Sequence, residues 1–147
     1  MHKTKLMKKK LIAICLYIVT TQAFAEVKEV NNQEIMSLMQ SGVPIIDIRR
    51  VEEWSDTGVI KQSNLLTFFD KQGNHDIEKW MSELKKVANT SDAVIIICRS
   101  GGRSRIVANL LDQEANYSNV YDATNGMLSW INSKNKTVKP DLSYENK

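Results

Sequence analysis

The residues best suited to chemistry lie in one run, Cys98-Arg99-Ser100-Gly101-Gly102-Arg103-Ser104. A thiol is followed by two glycines and by two guanidiniums. Gly101 and Gly102 have no Cβ and can take positive φ, so successive backbone N–H groups can turn inward as an anion-binding nest. The stretch from Arg105 to Ala115 is helical in pattern. A helix N-terminus beside the loop adds partial positive charge, and Arg99 and Arg103 add full charges. All of these favour negative charge on sulfur and would hold an oxyanion beside it. The result is a nucleophile in a preorganised anion cradle that needs no general base. Ser100 and Ser104 are further donors to the sulfur, and Ser104 could equally cap the helix.

Spacing narrows the chemistry. A cysteine phosphatase loop has the form C-x5-R, which puts arginine at position 104, and that residue is serine. Arg103 closes a loop one residue shorter. Its smaller ring of amides suits one extra sulfur on Cys98 better than a tetrahedral phosphoryl head. Past residue 25 the sequence has one histidine, His75, at the start of a helical stretch, which argues against a Cys–His protease pair. There is no C-x-x-C, so dithiol exchange is excluded, and no ligand cluster suggests a metal or another cofactor. The plain alternative is a packing cysteine at the end of an apolar run. That reading leaves two guanidiniums beside the thiol without a use.

The elements that must hold this loop read as alternating strands and helices. Ala93 to Ile97 is an unbroken apolar run, the pattern of a strand buried on both faces. Val43 to Ile48 is a second such strand, and Asn119 to Asp122 a third, with short extended segments at Glu26 to Val30 and Asn64 to Phe69. Helices are expected at 33–40, capped by Asn31 or Asn32 and closed by Gly42, and at 51–56, ended by Gly58. Further helices are expected at 75–88, 105–115 and 126–133. This predicts one α/β domain with a central, mainly parallel sheet and helices on both faces. In such sheets ligands bind beyond the carboxyl ends of the strands, where Cys98 stands. Asp47 and Arg49 at the end of the second strand are expected to be structural, Arg49 pairing with Glu52 or Glu53. Trp54, Trp80 and Trp130 are expected in the core, Arg105 in solvent, and the tail from Lys134 loosely held.

Residues 1–25 have the three parts of a secretory signal peptide. Five lysines with no acidic residue precede the apolar run Leu11 to Val19, and Ala23-Phe24-Ala25 is a cleavage signal before Glu26. The apolar run is too short for a stable membrane anchor, and Cys15 lies inside it rather than at a lipoprotein junction. Cleavage after Ala25 predicts an exported, periplasmic protein. Its domain runs from 26 to 135, and a polar C-terminal tail covers 136–147. Of 20 basic residues, five leave with the signal, so 15 face 17 acidic residues and the charge changes from +3 to −2. Nothing in that composition argues for nucleic acid. Cys98 then remains as the one thiol of a protein sent to an oxidising compartment, where cysteines are usually paired.

With these motifs in place the chain resembles the rhodanese family of single-cysteine sulfurtransferases. The Cys98 to Ser104 run resembles the family's six-residue active loop. Ile45-Ile46-Asp47-Ile48-Arg49 is similar to its hydrophobic-D-V-R strand, Glu52-Glu53-Trp54 with Gly58-Val59-Ile60 to its E-E-aromatic…G-H-I segment, and Asn125-Gly126-Met127-Leu128-Ser129-Trp130 to its terminal G-G-x-x-x-W element. The resemblance implies that Cys98 takes a sulfane sulfur from a small anionic donor such as thiosulfate. It then passes the sulfur to cyanide or a thiol acceptor, with Arg99 and Arg103 attracting the donor. A non-catalytic module that carries sulfur or binds a partner is the second reading, and a phosphatase or arsenate reductase the third. The chain departs from the family at Lys61-Gln62-Ser63, where Pro-Gly-Ala is usual, and at Val59 in place of His. It departs again at Asn116 and Asn125, where Gly is usual; asparagine is the side chain most tolerant of positive φ.

Overall fold

The computed structural model describes residues 26–143; the expected signal segment lies outside the described residues. Ten elements alternate along it: β1 (Lys28–Val30), α1 (Asn32–Gln40), β2 (Ile45–Asp47), α2 (Val51–Thr57), β3 (Asn64–Leu65), α3 (Ile77–Leu84), β4 (Ala93–Ile97), α4 (Gly102–Gln113), β5 (Asn119–Ala123) and α5 (Gly126–Asn132). The strands form one five-stranded sheet in the order β1-β5-β4-β2-β3, and every pairing is parallel. Among the described residues no helix is long and apolar enough to cross a membrane.

Side-chain alternation sorts the strands onto two cores. Val94, Ile96 and Cys98 point to one face with Ile46 and Ile48, against Trp80 and Leu84 of α3 and Val107, Ala108 and Leu111 of α4. Ile95 and Ile97 point to the other with Ile45 and Ala123, against Ile35 of α1 and Met127 and Trp130 of α5. Both faces of the central strand are buried, which is why its sequence shows no polar alternation. Cys98 therefore continues the α4-facing row.

Three boundaries differ from expectation. Helix α3 covers 77–84 rather than 75–88, because the Asp76 carboxylate caps it by accepting from Lys79 N at 3.0 Å, and the chain after Leu84 tightens into i→i+3 turns. Helix α4 begins at Gly102, three residues early, since Gly101 at φ +95 makes the turn alone and Gly102 is already helical. The tail is docked as far as Val138, which exchanges two 2.9 Å backbone bonds with Val59, while Trp130 Nε1 donates to Lys136 O.

At the end of β2 an ion pair is fully enclosed. Arg49 and Asp47 side chains are each 1% exposed. Arg49 donates to both Asp47 oxygens at 2.7–3.1 Å, to Thr57 Oγ1 and to the carbonyls of Glu53 and Gly58. The partner is Asp47, not Glu52 or Glu53 as expected: two residues along an extended strand end bring side chains to the same face. A guanidinium with every donor engaged ties the C-terminal turn of α2 to the sheet. Arg49→Met leaves Asp47 as an uncompensated buried charge and is expected to cost about 3–5 kcal/mol. Urea denaturation checks it, and a loss under 1 kcal/mol would show the pair to be dispensable.

Candidate active site

The loop leaves β4 at Cys98 and is four residues long, Cys98 to Gly101, because Gly102, Arg103 and Ser104 form the first turn of α4. Its sulfur is folded back against that helix start. Gly101 N donates to Cys98 Sγ at 3.1 Å, and Sγ lies 3.5 Å from Ser104 Oγ, whose hydroxyl donates to Gly101 O at 3.1 Å. Cys98 is 1% exposed and Ser104 is buried. The sulfur thus meets one backbone amide, one hydroxyl and the positive end of a twelve-residue helix.

The loop is held from its other side by α5. Met127 N donates to Cys98 O and Leu128 N to Arg99 O, both at 2.9 Å. These carbonyls lie beyond the last paired residue of β4, and these N–H groups are among the four that a helix start leaves without partners. The contact demands glycine at 126. A Cβ there would lie 2.4 Å from Cys98 O and 2.8 Å from Arg99 O, and φ is +56. Asn125, at φ +65, caps α5 in the left-handed region, as Asn116 at φ +57 closes the turn after α4.

The four loop-flanking cations do not play equal parts. Arg49 is spent on Asp47. Arg103 is gripped by Glu53 in a two-pronged contact, 2.9 and 2.6 Å, across 50 residues of sequence. Arg50 leans on Glu52 and Glu53 at 3.3 and 3.8 Å. Arg99 is exposed and is the one of the four with no carboxylate partner among the described residues. Ser100, expected to donate to the sulfur, is exposed and makes no bond to it. Arg105 is exposed, as expected, and from there bridges buried Asp122, at 2.7 Å, and Glu29.

Glu53 is the residue that sequence reasoning did not place here. Its carboxylate also accepts from Arg50 N at 3.0 Å, so one side chain caps α2 and fixes α4. The one local signal was its place three residues after the helix-starting Arg50, which marks a cap and says nothing of a distant arginine. Burial pushes the Glu53 carboxyl up. The bond from Arg103, the Arg50 amide and the two guanidinium charges more than offset this and hold it below the usual range.

A family model described as Rhodanese-like domain matches residues 31–133. An uncharacterized protein, RP600, of Rickettsia prowazekii is 30% identical over 94 residues, which span 62% of this chain and 74% of that protein. Among solved structures, the polysulfide-sulfur transferase homodimer of Wolinella succinogenes superposes with a TM-score of 0.60 at 16% identity, covering 81% of this chain and 83% of that one. A Rhodopseudomonas palustris protein described as a possible tyrosine phosphatase superposes with a TM-score of 0.56 at 20% identity, covering 76% and 85%. At these identities the superpositions speak for the fold.

Two outcomes are expected of this geometry. Gly126→Ala forces left-handed strain and overpacking together, a loss of about 2–5 kcal/mol in thermal or urea unfolding. Because Glu53 has a lower pKa folded than unfolded, its stabilisation is full above the ordinary carboxylate range and is lost as pH falls through that range and its lowered folded value. Urea midpoints at pH 6 and pH 3 should therefore converge in Glu53→Gln relative to the parent protein. An identical pH dependence in the two proteins would contradict the assignment.

Proposed function

The chain belongs to the rhodanese-like domain family, and from that premise we propose that it is a sulfurtransferase carrying sulfur as a persulfide on Cys98. The observation that carries the reading is Cys98 Sγ held at 3.1 Å by Gly101 N, at the start of a helix that Arg103 enters one residue too early for a phosphatase loop. The Gly101 amide, aimed at Sγ before any substrate arrives, favours the negative sulfur that the transfer uses, first the attacking Sγ and then the persulfide.

In the first step the Cys98 thiolate attacks the sulfane sulfur of a donor such as thiosulfate. The Sγ–S bond forms, the donor's S–S bond breaks, and its electron pair leaves with sulfite. In the second, a thiophilic acceptor, cyanide or a thiolate, attacks the outer sulfur and returns the electron pair to Sγ. Charge and atoms balance without an external oxidant, and ping-pong kinetics follow. Arg99 meets the anionic donor. Arg103 is a positioning residue, since its guanidinium is committed to Glu53. This reassigns half of the role that the resemblance gave the two arginines. Asp47 and Arg49 act at one remove, by holding α2 and with it Glu53.

Mass spectrometry of the intact protein after thiosulfate treatment tests the proposal. One added sulfur is expected, removable by cyanide and not formed by Cys98→Ser. No adduct and no thiocyanate would overturn it and leave the non-catalytic module, whereas hydrolysis of an aryl phosphate would establish the phosphatase reading. Arg99→Ala removes a charge-assisted contact to the donor, so KM for thiosulfate is expected to rise roughly tenfold or more. Arg103→Ala should instead lower stability by about 1–3 kcal/mol, because it leaves the half-enclosed Glu53 without its partner. Export by cleavage after Ala25 into the periplasm is part of the same proposal. The N-terminal sequence of protein recovered from that compartment is expected to begin at Glu26, and a start at Met1 would refute it.

A further inference from the structure

A cleft of about 260 Å³ opens between α2, the Cys98 loop and the start of α5. Met127, Leu128 and Ile131 make its apolar side, and Arg99 and Asp56 stand among its polar groups. It adjoins the sulfur loop, since Met127 and Leu128 are the residues whose amides hold the carbonyls of Cys98 and Arg99. Leu128 is 42% exposed, a large apolar side chain left uncovered beside the loop.

The charges of the cleft are of two kinds. Arg50 pairs with Glu53 of α2, and Glu53 also with Arg103 of α4. Arg99 and Asp56 are both exposed, and neither has a side-chain partner among the described residues. One free cation and one free carboxylate thus line one small cleft with an apolar side. The volume lies just below that of sites for drug-sized ligands, so it suits a molecule of amino-acid size.

Resting on the sulfurtransferase reading, we propose that this cleft is the acceptor subsite and takes small thiols carrying both a carboxylate and an ammonium group. The carboxylate would lie on Arg99 and the ammonium on Asp56. The thiolate attacks the outer sulfur of the Cys98 persulfide, a new S–S bond forms, and the bond to Sγ breaks with its electrons on Sγ. The products are the acceptor's persulfide and the free Cys98 thiolate. Ping-pong order allows Arg99 to serve twice, because sulfite has left before the acceptor arrives. Asp56 is the specificity residue: it has no use for a donor dianion or for cyanide.

The test compares L-cysteine with 3-mercaptopropionate, which lacks the ammonium. Asp56→Asn is expected to raise KM for cysteine about three- to tenfold, the range of an exposed to half-buried ion pair. KM for 3-mercaptopropionate should not move. Asp56 is exposed and has no side-chain partner among the described residues, so the variant should fold as the parent does. A second measurement is independent of turnover. S-methyl-L-cysteine, which cannot accept sulfur, should shift the NMR signals of Met127, Leu128 and Ile131 in the parent protein and only weakly in Asp56→Asn. Equal effects on both thiols, or equal binding by both proteins, would overturn the subsite while leaving sulfur loading intact. Failure of thiosulfate to load Cys98, with S-methyl-L-cysteine still bound through Asp56, would instead overturn the sulfurtransferase reading.

Discussion

The site depends on a backbone exchange between two elements that each end with unsatisfied polar groups. Beyond Ile97 the carbonyls of Cys98 and Arg99 have no strand to pair with. At the start of α5 the N–H groups of Met127 and Leu128 have no preceding turn to donate to. Each pair meets the other's need at 2.9 Å. Buried backbone groups are rarely left unpaired, because doing so costs the full desolvation of the group. The exchange therefore fixes where the loop can lie. It works because residue 126 has no side chain to keep the two backbones apart. A short stretch of four residues, with Arg99 and Ser100 exposed, acquires the rigidity that a preformed amide-to-sulfur contact requires.

A second chain of contacts runs through charge. Asp47 neutralises Arg49 in the interior, and Arg49 grips the carbonyls at the end of α2. With α2 set in place, Glu53 reaches Arg103 and braces the helix that points at the sulfur. Each link uses one cation on one carboxylate, and among the described residues the exposed Arg99 has no carboxylate partner. The arginines around this loop are thus distinguished by their partners rather than by their distance from Cys98. The same distinction separates Asp56, which has no side-chain partner among the described residues, from Glu53, which holds two helices.

Much of the scaffold was legible because it depends on nearest neighbours and on periodicity. The unbroken apolar run Val94 to Ile97 gave a doubly covered strand, and its alternation gave the face on which Cys98 lies. Asn31 as a cap, Gly58 as a stop, and Asn116 and Asn125 at positive φ follow from side-chain chemistry within a few residues. The start of α4 was read three residues late, since R-S-G-G-R-S carries no apolar period, and Gly101 alone makes the turn. The tail was read as loose because its residues are polar. What holds it is backbone pairing with Val59, which composition does not record.

The sequence alone determined the fold class, the position of the thiol at the carboxyl end of the central strand, and a loop one residue shorter than a cysteine phosphatase's. These are local or periodic properties, written in residue types and spacings. Tertiary structure decided which charges are free to act. Glu53 and Arg103 are 50 residues apart along the chain and 2.6 Å apart in space, and nothing in either neighbourhood names the other. Tertiary structure also decided that Gly126 must be bare, through contacts with carbonyls of a different element. Ion pairing and close backbone approach are set by three-dimensional distance. That distance exists only once the sheet order β1-β5-β4-β2-β3 has brought the ends of separate strands together.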